Sequence, residues 1–600
     1  MHKSIDCGSV RKTHLGEEVT LAGWVHRRRD HGNIIFLDIR DREGLIQVVF
    51  DPASAQEAHS IAESVRNEWV LKIKGTVSLR PEGTINTDMP TGDVEVLARD
   101  VTVMARSKTP PFYINEESDV DESVRLRYRY MDLRRPFMQE VLVLRHRVVK
   151  FIRNFLDSRN FIEIETPILI KSTPEGARDY IVPSRVHPGM FYALPQSPQQ
   201  LKQLLMASGF EKYFQIARCF RDEDLRADRQ PEHTQLDMEM SFVHRDDILS
   251  LIEELITELV NSVIPDKKVT TPFPRITYHE SMAKYGTDKP DLRFDMEITD
   301  ITDCFSDSDF QVFTKAIKDG GVVQGIVVPG QGSMSRKKLD NLVEQVRDLG
   351  AQGLVWIGLS EGFSCENTNI DNIRSSISKY ISIEELKEVV SVTKASANDL
   401  LLIVSGKTNL TQTALGHLRN NLGISMGFAN EKQLEFAFII DFPLFESGEN
   451  EGEWTAAHHA FTMPKEGASA KLETDPGSVI ADSYDLVCNG LEIASGSIRV
   501  HDRQLQERIL AVLGYSSDQI NERFGQLLEA FDYGTPPHGG IAPGIDRLVM
   551  VLAGLESIRD TIAFPKTQSA ADPLFGSPGP VEDAHLNELN IRVVGPDLKN

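Results

Sequence analysis

Over the first hundred residues, apolar and β-branched positions alternate with polar ones in short runs. These are VTLAGWVHRRR, NIIFLDIRD, LIQVVFD, WVLKIKGTVSL and VEVLARDVTVMA, separated by Gly, Asp and Pro turns. Alternation at period two predicts half-buried strands. One segment breaks the pattern: in SAQEAHSIAESVR, Ala58, Ile61, Ala62 and Val65 fall on a single helical face. From Phe137 to Ser158 the spacing is again helical, with Val141, Leu144, Val148, Ile152 and Phe155 on one side, and FIEIETPIL then alternates like a strand through Pro167. Further along, strands such as GVVQGIVVPG, GLVWIGLS and DLLLIVSG are interleaved with helices such as LDNLVEQVRDLG and TALGHLRNNLG.

Five strands with a helix between the third and fourth match the small Greek-key barrel called the OB-fold, a frequent binder of oligonucleotides, although a purely structural β module has the same topology. The chain therefore reads as a multidomain α/β and β protein. The expected order is a barrel over 1–106, a polar Pro-containing linker over 107–136, a second domain begun at 137–296, an inserted α/β unit at 297–422, and the second half of that domain with a C-terminal extension at 423–600.

Length and composition agree: 600 residues with 40% hydrophobic and 26% charged positions suit a globular protein of two to four domains. No run of eighteen apolar residues exists and MHKSIDCGSVRK has no apolar signal core, so a cytoplasmic protein without a membrane segment is expected. Cys7, Cys219, Cys304, Cys365 and Cys488 show no CxxC spacing, which argues against a disulfide framework or a zinc site. A formal charge of −24 excludes a generic nucleic-acid coat. It leaves room for a specific RNA, because HRRRDHGN (26–33) and RLRYRYMDLRRP (125–136) are locally basic.

Five segments concentrate chemistry. FRDEDLRADRQPEHTQLD (220–237) interleaves Arg221, Arg226 and Arg229 with acids; TPEGARDY (173–180) carries Glu175, Arg178 and Asp179; ALPQSPQQLKQLLM (193–206) places Ser197, Gln199 and Lys202 at a helix start. YDLVCNGLEIASGSIR (484–499) sets Asp485, Glu492 and Arg499 along a strand pair, and GGIAPGIDRLVMVLAG (539–554) leads a Gly/Pro turn into a helix that presents Arg547. Singly, each also reads as a solvated helix face or a packing turn. Together they supply arginines for a polyphosphate, two acids for magnesium and polar groups for a small zwitterion. GQGSMSRKK lacks the GxxxxGK[ST] pattern, so no phosphate loop is expected there.

The helix–strand ending at Pro167, the FRDE stretch running into QLDMEMSF, and GIAPGIDR resemble the three motifs of class II aminoacyl-tRNA synthetases, and nothing resembles the HIGH or KMSKS motifs of class I. An N-terminal OB-fold marks the aspartyl, asparaginyl and lysyl subgroup. TPEGARDY, LPQSPQ, FRDEDLRADRQPE and the large insertion are similar to its bacterial aspartyl members, over essentially the whole chain. The resemblance implies ATP-dependent attachment of L-aspartate to tRNA through an aspartyl-adenylate. Arg221, Arg547 and Glu492 would carry catalysis. Arg221 would hold the α-phosphate and the substrate carboxylate, with Asp222 and Glu223 beside it, Glu223 near adenine, and Gln230 a further ATP contact. His233 stands where many relatives have Phe and would stack on adenine. Gly544, Ile545 and Asp546 lead to Arg547 on the terminal phosphate, while Asp485 and Glu492 would hold Mg2+.

For aspartate, the resemblance implies that Arg499 and Lys202 pair with the side-chain carboxylate under His458. Glu175, Ser197 and Gln199 would meet the ammonium, Asp237 would orient Lys202, and Gln235 would assist. In the barrel, Phe36 would stack on an anticodon base, flanked by Arg29 and Gln47. His31, in the loop before the strand of Phe36, and Gly83, in the turn RPEGTIN, stand where aspartate-specific members tend to carry Leu and Lys. Members that charge both tRNA(Asp) and tRNA(Asn) tend to carry His and Gly. A non-discriminating enzyme is expected, whose Asp-tRNA(Asn) is converted by a partner amidotransferase. The apolar face of helix 137–158 and the strand to Pro167 are expected to form a homodimer interface. The alternatives are a tRNA(Asp)-only enzyme, an asparaginyl or lysyl synthetase, and a non-catalytic RNA-binding relative.

Overall fold

The computed structural model describes residues 2–115, 119–172, 177–223, 229–364, 372–448, 450 and 452–594. The chain forms two compact units, 1–143 with 562–579 and 144–561 with 580–600.

In the first unit, strands β1 (Glu18–His31), β2 (Ile34–Asp41), β3 (Gly44–Phe50), β4 (Val70–Leu79) and β5 (Val94–Ala105) close a barrel in the order β1-β2-β3-β5-β4. Pairing is antiparallel except between β3 and β5. The alternation of the sequence is the alternation of the barrel wall. Leu21, Val25, Leu37, Ile39, Val48 and Ile73 fill the core, and helix α1 (Gln56–Ser64), between β3 and β4, closes it with Ala58 and Ala62. Beyond the barrel, Arg129 is fully buried and donates from Nε and Nη2 to the carbonyls of Ala563 and Ile562, which ties the later segment 562–579 into this unit.

Helix α2 (Pro136–Asp157) follows. Val141, Val148, Ile152 and Phe155 are buried within the chain and Leu144 is half-buried. Four of the five residues on the face expected to join two copies are thus covered by the chain itself: hydrophobic spacing reports burial, not whose atoms supply it. Phe137 and Val143 on the helix, and Ile162, Ile168 and Leu169 just beyond it, remain exposed. The strand expected there is short, β6 (Ile162–Glu163), because the chain turns to a side-chain anchor: Thr166 donates from N and Oγ1 to Gln215 Oε1.

The second unit is built on an eight-stranded sheet. To β6 it adds β7 (Lys212–Phe220), β8 (Glu232–Ser241), β9 (Arg275–Thr277), β10 (Phe436–Ile440), β11 (Ser483–Cys488), β12 (Leu491–Ile498) and β13 (His538–Pro543). The order is β9-β10-β11-β12-β13-β8-β7-β6, antiparallel through the middle and parallel only at the two outermost pairs. Helices α3 (Gln199–Ala207), α4 (Arg245–Val263) and α5 (Ile545–Ala553) pack against it.

The inserted segment forms its own sheet from strands 299–300, 322–328, 355–359, 373–375 and 400–406, every neighbouring pair antiparallel. Ile326, Leu402 and Val404 pack with Leu415 and Leu418 on one face; Val323, Leu401 and Ile403 pack with Leu386 and Val389 on the other. Among the described residues, no helix is long and apolar enough to cross a membrane.

Candidate functional site

On β8 the two-residue period sends Gln235, Asp237 and Glu239 to one side of the sheet, toward α3 and the β11–β12 hairpin. Two adjoining cavities, about 240 and about 380 Å³, open on that side and share Arg221, Gln235 and Glu492 in their walls. The smaller is also lined by Glu223, Arg229, Gln230, His233, Gly544, Asp546 and Arg547. The larger is lined by Ser197, Gln199, Lys202, Asp237, His458, Asp485 and Arg499. Segments more than three hundred residues apart in the chain, such as those of Arg221 and Arg547, therefore meet here. Of the described candidates, Arg178, Asp179, Asp222 and Ile545 are not in either wall: Asp222 bridges the backbone of Arg178, Asp179 accepts from Ser172 and Gln196, and Ile545 is core. Glu175 and Arg226 lie outside the described residues.

At the floor of the larger cavity the charges are paired. Arg499, fully buried, donates from Nε to Glu239 Oε1 at 2.9 Å and from Nη1 to Ser497 Oγ at 2.7 Å, and its Nη1 also meets the His459 ring. Lys202 Nζ donates to Asp237 Oδ1 at 2.7 Å and lies 3.3 Å from Glu239 Oε2. Burial pushes the Glu239 carboxyl up, but Arg499 and Lys202 outweigh it and hold the group below its ordinary range. Glu239 and His459 were missed in the sequence. The signal for the first was available, since Q-x-D-x-E in QLDMEM places a third polar residue on the same strand face. Over this floor, His458 Nε2 faces Asp485 Oδ1 at 3.1 Å. Burial lowers the His458 pKa, yet the Asp485 and Glu492 carboxylates raise it overall. Its Nδ1 and the Gln235 Nε2 are buried without a protein partner, two groups available to a polar ligand.

Asp485 and Glu492 stand on opposite strands of the β11–β12 hairpin. Its turn is Asn489-Gly490, both at positive φ (51° and 87°), the pairing that a two-residue type I′ turn requires. A bulge after Leu486 shifts the register so that Asp485 pairs with Ser495 while Glu492 faces Val487. Burial first, then the nearby Asp485 charge, raise the Glu492 pKa. Two carboxylates that disfavour each other's charge fit Mg2+, a hard cation that uses one or two carboxylates and completes its shell with water and phosphate oxygens. Among the described residues, no cluster of three His, Cys, Asp or Glu side chains is arranged as a metal cage.

In the smaller cavity, Arg547 on the first turn of α5 donates from Nη1 to the Glu492 carbonyl at 2.6 Å. The neighbouring Asp546 is a brace: Oδ2 accepts from Thr234 N at 2.8 Å and Oδ1 from the Arg145 guanidinium. His233 is held neutral, its pKa lowered to about 3 by burial and by Arg221, Arg218 and Arg547, so its ring offers an uncharged face.

On the barrel, Phe36 is half-buried and lies outside the core formed by its neighbours Ile35 and Leu37. It pairs in register with Arg29, whose Nη2 donates to Asp38 Oδ1 at 2.6 Å and Gln47 Oε1 at 3.1 Å. Gln47 Nε2 continues the network to Glu95 at 2.8 Å. His31 is exposed and is the last residue of β1 rather than a loop residue, pairing with Ile34 across Gly32-Asn33. Gly83 sits in a turn at φ 83° with open space where a Cβ would be.

Comparison with known proteins places these features in a family. A family model for class II tRNA synthetases (D, K and N) matches residues 121–568, and one for the OB-fold nucleic acid binding domain matches 19–104. The chain is 53% identical over 594 residues to an aspartate--tRNA(Asp/Asn) ligase of Dehalococcoides mccartyi strain CBDB1, covering 99% of each. It is 52% identical over 579 residues to the ligase of that name from Syntrophomonas wolfei, covering 96% of this chain and 97% of that one. Among solved structures, asparaginyl-tRNA synthetase from Pyrococcus horikoshii complexed with asparaginyl-adenylate shares the fold at TM-score 0.59 and 18% identity, covering 94% of this chain and 99% of that one. Aspartyl tRNA synthetase from Entamoeba histolytica does so at TM-score 0.55 and 20% identity, covering 92% and 89%.

Proposed function

We propose that this chain, which belongs to the class II tRNA synthetases of the D, K and N group, attaches L-aspartate to tRNA(Asp) and tRNA(Asn) with ATP. The observation that carries the reading is the buried Arg499–Lys202 floor opening directly into the Arg221–Arg547 cavity. Aspartate binds in the larger cavity with its side-chain carboxylate toward Arg499 and Lys202 and the His458 ring above it. An asparagine amide would meet the same two cations without a charge to offer them. Ser197 and Gln199 receive the ammonium, and Gln235 Nε2 the α-carboxylate.

ATP occupies the smaller cavity, adenine against His233 and Gln230, the α-phosphate at Arg221 and the terminal phosphate at Arg547. Asp485 and Glu492 hold Mg2+, which neutralises phosphate charge when bound. The α-carboxylate attacks the α-phosphorus and pyrophosphate leaves; a hydroxyl of the tRNA terminus then attacks the aspartyl-adenylate carbonyl, forming the ester and releasing AMP and a proton. Such a transfer needs positioning and charge neutralisation, which fixed arginines supply.

The anticodon is read on the barrel by Phe36, Arg29 and Gln47, with His31 and Gly83 permitting both tRNAs. Asp-tRNA(Asn) is then substrate for an amidotransferase. The enzyme works as a cytoplasmic homodimer, joined through the exposed Ile162, Ile168 and Leu169. Pyrophosphate exchange measured separately with aspartate, asparagine and lysine tests the activity. Exchange with aspartate alone is expected, and exchange driven by asparagine or lysine would overturn the reading.

A further inference from the structure

Gln199 and Gln203 stand one helical turn apart on α3, both buried. Gln199 lines the larger cavity, and Gln203 lies behind it. Gln199 Nε2 donates to Gln203 Oε1 at 3.1 Å. Gln203 Nε2 is 3.1 Å from His538 Nε2, and His538 Nδ1 is 2.8 Å from the Pro536 carbonyl.

The polarity of this chain of contacts follows from its far end. A carbonyl can only accept, so His538 Nδ1 carries the proton, and in the neutral ring Nε2 presents a lone pair. Gln203 must then turn its NH2 toward His538 and its carbonyl toward Gln199. That carbonyl takes the NH2 end of Gln199, and the end left for the cavity is the carbonyl oxygen. The ring is kept neutral by burial, which lowers its pKa; Arg499 and His501 act in the same direction, against Glu239 and the Pro536 carbonyl. The His538 carbonyl also accepts from Arg499 N at 2.9 Å, so one residue backs both ends of the cavity.

We propose that Gln203 and His538 are positioning residues that lock the Gln199 amide with its carbonyl oxygen toward the cavity, where it accepts from the α-ammonium of the amino acid. This rests on the larger cavity being the aspartate site. Without the relay, Gln203 no longer fixes which end of the Gln199 amide faces the cavity.

The test compares L-aspartate with succinate, which has both carboxylates and no ammonium, as ligands of the full-length enzyme. Gln203→Met is expected to weaken aspartate about tenfold or more, the worth of one hydrogen bond to a charged group, while succinate binding shifts less than about twofold. The KM for aspartate rises with kcat and the KM for ATP nearly unchanged. Gln203→Glu keeps an acceptor for Gln199 but sets a carboxylate against the His538 lone pair. It is expected to recover aspartate affinity toward acid pH, where His538 takes up a proton, and lose it toward alkaline pH. Equal losses for aspartate and succinate, or unchanged aspartate affinity in Gln203→Met, would overturn the relay. If that variant does not fold, a flat pH profile in Gln203→Glu overturns it instead. A wild-type enzyme that activates another amino acid and not aspartate would refute the reading of the cavity, and the relay with it; the exchange assay separates that failure from the others.

Discussion

Individual side chains here work in pairs whose second member sets what the first can do. Arg221 and Arg547 line the smaller cavity, proposed as the ATP site, and Arg499 and Lys202 at the larger one are paired with Glu239 and Asp237. Arg221→Ala and Arg547→Ala are therefore expected to lower aspartate-dependent pyrophosphate exchange by about 100-fold or more with the melting temperature nearly unchanged. Near-normal exchange in either variant would remove that arginine from the mechanism. His233 gives a pH prediction. Its folded pKa, about 3, lies below that of an exposed imidazole, so between about pH 6.5 and about pH 3 the unfolded chain holds a proton that the folded chain does not. Stability is then lost as pH falls through that window. His233→Phe removes this contribution while keeping an aromatic face for adenine. Thermal melts from pH 7.5 to pH 5 should show the variant losing less stability than wild type, with the KM for ATP changed by no more than about threefold. A parallel decline in both proteins would contradict the assignment.

At the scale of elements, hydrophobic periodicity was a faithful guide where one face of an element meets one core. All five barrel strands follow from alternation and α1 from its one apolar helical face, because a barrel wall has a single inside. It was a weaker guide where two surfaces compete for the same apolar residues. Most of the stripe on α2 is buried by the chain itself, and the association proposed here uses the exposed Ile162, Ile168 and Leu169 instead. Ile168→Asp is accordingly expected to shift the enzyme from dimer to monomer at micromolar concentration in sedimentation velocity, with the monomer still folded; an unchanged dimer would place the interface elsewhere. The site was legible in a similar way. Residues that project from short motifs were placed by resemblance, and nearly all the described ones line the two cavities. Glu239 was readable from the period of its strand, whereas His459, Gln203 and His538 were not singled out, because nothing local marks the contact of His459 with Arg499 or the meeting of Gln203 and His538 behind the cavity wall. The insertion shows the same limit: its strands were readable, while their antiparallel order and the helices Gln311–Lys318 and Ile383–Thr393 depend on packing across the sheet.

For the whole molecule, RNA reading and amino-acid activation are assigned to separate compact units, one holding the barrel and the other both cavities. Adenylate formation and anticodon recognition should therefore separate under mutation. Phe36→Ala is expected to reduce tRNA charging by about 10- to 100-fold, the usual worth of stacking one base, while exchange without tRNA is unaffected. Loss of both activities would mean that Phe36 supports the fold. The molecule carries a net charge of −24, so its affinity for tRNA must come from local groups such as Arg29 and the surrounding HRRRDHGN segment, not from overall attraction. The selectivity proposed above rests on still fewer residues, the exposed His31 and Gly83 with open space where a Cβ would be. Aspartylation of purified tRNA(Asp) and tRNA(Asn) transcripts, compared by kcat/KM, tests this most directly. Values within about tenfold of each other are predicted, and His31→Leu combined with Gly83→Lys should depress the tRNA(Asn) value selectively. A wild-type preference for tRNA(Asp) of about several hundredfold, which is more than 3 kcal/mol, would contradict the account and make the enzyme specific for tRNA(Asp).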